Sequence, residues 1–150
     1  MADRELTERE KLEAAVAEAK ARREEARVAR DDARAPDRLR AELALVTRQA
    51  EMDAIYDELE SKHGSNEIRR VDADDGSMLV VSRPASVAFK RFQQSKTSVD
   101  DCDAFVRTCL VYPSKEGYNE LVSKWPAKIV EGANVASELA GIRRKEASGK

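Results

Sequence analysis

Apolar and polar positions change rhythm along this chain, and the changes divide it. From Thr7 to about Ala33 nearly every residue is Ala, Glu, Arg or Lys, the strongest intrinsic helix formers. Thr7-Glu8-Arg9-Glu10 has the form of a capping box, in which the Thr7 hydroxyl accepts from the Glu10 backbone while Glu10 reaches back. A long helix is predicted from here, supported by i to i+4 pairs such as Glu5 with Arg9 and Glu18 with Arg22. It has little to bury, because its large aliphatics between residues 8 and 35 are Leu12, Val16 and Val28 alone.

Pro36 interrupts the pattern, since proline suits the first turn of a helix and not its interior. A second helix is predicted from about Pro36 to His63. Leu39, Leu43, Val46 and Ala50 form one stripe on it, and Met52, Ile55, Tyr56 and Leu59 continue on an adjacent one, with Gly64 as the stop. The two helices either fold back as an antiparallel hairpin at Pro36, which is the preferred reading, or make one kinked, coiled-coil-like rod. Either way the stripe of the second helix needs a partner: helix one, the rest of the chain or another subunit.

After Gly64-Ser65-Asn66 the period shortens. Glu67–Val71 and Ser77–Ser82 read as two strands around the turn-forming loop Asp72-Ala73-Asp74-Asp75-Gly76. Met78-Leu79-Val80-Val81 lacks alternation, so this strand is expected to be covered on both faces. Helical spacing returns from Ser86 to about Ser95 with Val87, Phe89 and Phe92. A capped start at Ser98 and Asp101 then opens a helix carrying Val99, Cys102, Phe105, Val106, Cys109 and Leu110 and stopping before Pro113. A shorter helix from Ser114 carries Tyr118, Leu121 and Val122. Trp125-Pro126 turns into a last helix with Ile129, Val130, Ala133, Ala136 and Leu139 inward and Gly141 as its stop.

The predicted fold is therefore mostly α with a small α+β domain. A charged helical arm occupies residues 1–63, two helices broken at Pro36. A β-hairpin packed with about four short helices occupies residues 64–142, and a charged, disordered tail residues 143–150.

Charge sharpens the division. Charged residues are 37% of the 150. Residues 1–63 hold 13 Lys/Arg against 17 Asp/Glu, while the remainder holds 14 against 12. Neither part has the strongly basic balance of a dedicated nucleic-acid binder, so nucleic acid is not expected as the main partner. No apolar run approaches a membrane span and no signal pattern opens the chain, which points to a cytoplasmic protein. Cys102 and Cys109, seven residues apart on one predicted helix, cannot bridge each other and read as small buried residues.

Candidate chemistry is thin. The single histidine, His63, stands at a helix end, and no nucleophile elbow or phosphate-cradling glycine loop is present, so no catalytic residue, metal or cofactor is expected. Asp72, Asp74, Asp75 and Gly76 suggest a calcium loop only faintly, because Ser77 and Arg83 stand where such a loop needs Gly and Glu. Phe89-Lys90-Arg91-Phe92 with Lys96 mixes bases and aromatics, yet Phe89 and Phe92 share a helical face as core residues do. The candidate protein-binding residues are Leu39, Leu43, Val46, Ile55 and Leu59 on the arm, with Tyr112, Tyr118 and Trp125, since such aromatics anchor interfaces. Packing of Trp125 beside Pro113 and Pro126 is the competing reading.

The stretch Val99-Asp-Asp-Cys-Asp-Ala-Phe-Val-Arg-Thr-Cys-Leu-Val-Tyr-Pro113, then Tyr118 to Leu121, Trp125-Pro126 and Glu138-Leu-Ala-Gly141, resembles the C-terminal part of phage tail assembly chaperones. That family has an amphipathic helix ending at a proline, a short helix, a "WP" or "PG" turn, and a last helix ending "L-[AS]-G". Residues 97–142 follow this order; the arm has no counterpart. The resemblance implies a soluble protein of the bacterial host cytoplasm that engages the tape-measure protein and helps recruit tail-tube subunits. The alternatives are a virion or scaffold-like structural protein, homo-oligomeric through its arm, and a small DNA-binding regulator.

Overall fold

A computed structural model of the chain describes residues 7–141; the expected tail and Glu5 lie outside them. The chain is mostly helical with one small sheet, as the periodicities required. It divides into two compact units, residues 1–44 and 45–150, with the division inside the first helix.

Helix α1 runs from Glu8 to His63 without interruption, and Pro36 lies inside it. The expected break into two helices, and with it the hairpin, does not occur. Interior proline costs a helix about 3 kcal/mol, through a lost N–H donor and a ring clash. Here strong helix formers flank it on both sides. Arg27 pairs with Glu24 and Asp31 before it, and Arg40 with Asp37 after it. The Arg38 guanidinium also donates to the Asp31 carbonyl at 3.2 Å, one residue before the Asp32 carbonyl that Pro36, without an N–H, cannot serve. At the start Thr7 and Glu10 form the expected capping box, with Thr7 N donating to Glu10 Oε2 at 2.9 Å and Glu10 N to Thr7 Oγ1 at 3.3 Å. Glu18 and Arg22 pair as predicted. No residue of α1 is buried.

The second unit is built on an antiparallel sheet ordered β1-β2-β3, with β1 at Ile68–Asp72, β2 at Met78–Ser82 and β3 at Leu110–Tyr112. Ile68 faces Ser82 and Asp72 faces Met78 across the hairpin. Helices α2 (Ser86–Gln94), α3 (Val99–Thr108), α4 (Lys115–Lys124) and α5 (Ala127–Gly141) complete it. The third strand corrects the expected long helix before Pro113. A proline disfavours the α conformation at the residue preceding it, and Leu110, Val111 and Tyr112 suit a strand that can bond to β2.

Central strand β2 is covered on both faces, as its unbroken apolar run required. On one side Leu79 and Val81 join Val71, Phe105, Val106, Tyr118, Leu121, Ala133, Ala136 and Leu139 in one cluster. On the other, Met78 and Val80 join Ile68 against Met52, Ile55, Tyr56 and Leu59 of α1 and Val111 and Tyr112 of β3. The end of α1 is therefore part of this unit, and residues 45–63 are one of its layers, not the close of an arm ending at 63. Gly76, at φ +85°, lets the hairpin loop approach this layer: a Cβ there would stand 3.2 Å from Leu45 Cδ1 and 3.3 Å from Arg48 Cβ.

Phe92 stacks on Phe105 with ring centroids 4.3 Å apart, and Phe89 tilts against the same ring at 6.3 Å, as core residues should. Val99 and Val130, expected inward, are exposed. Both cysteines are buried and unbridged, and burial pushes the Cys109 thiol up to about 11.

Candidate protein-binding surfaces

The residues singled out on the arm separate by unit. In the first, Leu39 and Leu43 are 64% and 68% exposed, alongside Leu12, Val16 and Val28. In the second, Val46 is 53% exposed, whereas Ile55 and Leu59 pack beneath the sheet and are already used. A helix whose only task is to stay solvated is expected to be polar all round, and Leu39 and Leu43 break that rule where nothing in their own unit covers them.

Of the aromatics, Tyr118 is fully buried and cannot anchor a partner at the surface. Its hydroxyl donates to Asp103 Oδ1 at 2.7 Å, and the Arg107 guanidinium lies 4.7 Å from its ring centre. Arg107 in turn holds Asp103 at 3.0 Å and Asn119 at 2.6 Å. Burial, with the Asp103 carboxylate adding to it, raises the phenol well above its usual range. The signal misread in the sequence was real: a tyrosine in an aromatic-poor chain was important, but for the core.

Tyr112 and Trp125 do meet at a surface. Both are half-buried and line a cleft of about 330 Å³ with Met52, Met78, Pro113 and Leu121. The indole Nε1 of Trp125 is buried with no acceptor among the described residues, and Lys124 Nζ lies 5.9 Å from the ring centre. At the mouth Asp75 is the meeting point of charges. Its carboxylate accepts from the Ser77 hydroxyl and backbone N–H and from Lys124 Nζ at 3.0 Å, and Arg48 stands 4.0 Å away. Burial works to raise its pKa, but those hydrogen bonds and the nearby ammonium together hold it well below the usual carboxylate range. Asp75, Arg48 and Lys124 come from a loop and two helices far apart in sequence, so no local spacing could have found them.

No family model, no curated protein and no solved structure matches the chain. The surfaces must be read from their own chemistry. The Asp72–Asp75 loop is a hairpin turn with two of its carboxylates engaged, Asp72 by Arg70 and Asp75 by Lys124, and among the described residues no group of three His, Cys, Asp or Glu side chains could hold a metal ion. No described helix is long and apolar enough to cross a membrane. What remains prominent is apolar side chain held in solvent on α1 and an aromatic cleft on the second unit.

Proposed function

We propose that this chain is a non-catalytic, protein-binding tail assembly chaperone of a phage or prophage, which holds the tape-measure protein and helps recruit tail-tube subunits. The resemblance of residues 97–142 supplies the process. The observation that carries the binding role is that α1 buries none of its residues and yet presents Leu39 and Leu43 to solvent. Large aliphatics exposed on an otherwise charged helix suit a client that offers an apolar helical face. The net negative balance of residues 1–63, 13 Lys/Arg against 17 Asp/Glu, suits the other half of a chaperone's task, since like-charged arms keep coated clients apart.

The test is capture of a tape-measure fragment encoded beside this reading frame by the full chain and by a Leu39→Glu/Leu43→Glu variant. Retention by the wild type and loss in the variant, with unchanged circular dichroism, supports the reading. Equal capture by both removes the arm from the interface and leaves the Tyr112–Trp125 cleft. A chain that instead purifies with finished particles is a structural component and not a chaperone.

A further inference from the structure

The whole-chain charge balance conceals a segregation that appears only on the folded helix. Lys20, Arg23, Arg27, Arg30, Arg34 and Arg38 follow one another at intervals of three or four residues, which places them on a single face of α1. The first five line one shallow surface of the helix together with the carboxylates Glu24 and Asp31 at its edge, and all six are exposed. Residues 20–40 carry eight Lys/Arg against five Asp/Glu, and the cations dominate this face. Among the described residues Arg27 is engaged by Glu24 and Asp31, and Arg30 and Arg38 donate to the Ala26 and Asp31 carbonyls. Lys20, Arg23 and Arg34 have no hydrogen bond or ion pair there.

We propose that this ridge is a sequence-independent binding surface for the phosphate backbone of double-stranded DNA. Three features choose that partner. Five of the six cations are arginine, whose planar fork matches phosphate oxygens in pairs. No apolar side chain interrupts the ridge between Lys20 and Arg38, whereas a protein interface buries an apolar centre. A continuous helix bearing cations turn after turn is also the form in which basic helices cross the major groove.

An anionic membrane fits less well. At about 100° per residue, Leu12 and Val16 lie on the ridge's side but precede Lys20, beside Arg9 and Glu13. From Lys20 onward, Val28, Leu39 and Leu43 lie about 110 to 170° round the helix from the ridge, and Glu25 and Asp32 share their side. Laying that apolar side into a bilayer would turn the cations away from the headgroups and bring carboxylates toward them. The net charge of −2 on the whole protein does not prevent binding, because salt screens charges beyond about 10 Å.

The inference stands apart from the client-binding role, since the ridge and Leu39 and Leu43 occupy different sides. Its test is fluorescence anisotropy of the full chain with two unrelated 24-base-pair duplexes across a salt series. Both duplexes should bind alike, with log K falling against log salt at a slope of about −3 to −5, near −0.9 for each phosphate engaged. Arg30→Gln/Arg34→Gln should weaken binding about tenfold or more and reduce the slope by about 2, Arg30→Lys/Arg34→Lys should retain the slope, and Arg40→Gln, off the ridge, should change neither. The proposal is overturned by no binding at 50 mM salt, by a slope indifferent to the ridge, by preference for one duplex, or by uptake onto phosphatidylserine vesicles without DNA binding.

Discussion

The two units use opposite means to stay ordered. Residues 8–44 have no buried side chain and are held by helix propensity, a capping box and exposed pairs such as Arg9 with Glu13, each worth only a few tenths of a kcal/mol. Residues 45–141 are held by apolar layers on both faces of β2, where Ile68, Leu79, Val80, Val81, Val106, Tyr118 and Leu139 are all removed from solvent. A region that spends no side chains on its own core has them free for a partner. The contrast predicts where substitutions will be felt and where they will change only binding.

The largest effect is expected at Tyr118, where truncation opens a cavity and leaves Asp103 with Arg107 but without its hydroxyl donor. Tyr118→Ala should cost about 3 to 5 kcal/mol in urea unfolding. A loss below about 1 kcal/mol would mean that α3 and α4 are not locked together through this ring, and the contrast with the first unit would weaken.

Overpacking should come next. A Cβ on Gly132 would stand 2.8 Å from Leu79 Cδ2 and 3.3 Å from Val106 Cγ2, in the region where α5 meets β2 and α3. Gly132→Ala should therefore destabilise by about 1 to 3 kcal/mol despite the better helix propensity of alanine. A more stable variant would show that α5 can shift freely on the sheet.

How far the sequence revealed all this depended on the range of the interactions involved. Both capping boxes, Thr7 with Glu10 and Ser98 with Asp101, were legible because their partners are three residues apart. The double coverage of β2 was legible from Met78–Val81, because a strand with one wet face alternates. What failed was long-range. That residues 45–63 belong to the second unit depends on Ile55 and Leu59 finding Ile68 and Met78, and nothing in their spacing distinguishes that sheet from another subunit. β3 exists because β2 has an edge to pair with. At Pro36 a sound local rule lost to the helix formers around it. The basic ridge was local and readable, but summing charge over whole segments averaged it away.

A smaller effect, and one that depends on pH, is expected at Asp75, which ties the hairpin loop to α4 through Lys124. Its pKa is lowered on folding, so its contribution is present above the ordinary carboxylate pKa and is lost as pH falls below it toward the folded value. Asp75→Asn should cost about 1 to 2 kcal/mol at pH 7, and the difference from wild type should shrink as the solution is acidified below about pH 4. A difference that grows on acidification would reverse the assigned sign.

The smallest effect on stability is expected on the arm, and it is the most informative. Leu39 and Leu43 have nothing to lose within their unit, so Leu39→Ala and Leu43→Ala should move the unfolding midpoint by no more than about 0.5 kcal/mol. If these side chains meet a client, removing both should nevertheless weaken capture of the tape-measure fragment by about tenfold or more, since each fully buried leucine is worth about 1.5 to 3 kcal/mol. The two measurements decide between distinct pictures. Stability unchanged with capture lost assigns the leucines to binding. Stability lost by 2 kcal/mol or more means that the wild-type arm is already covered in solution, and light scattering of wild type and variant then reveals whether the cover is a second copy of the chain.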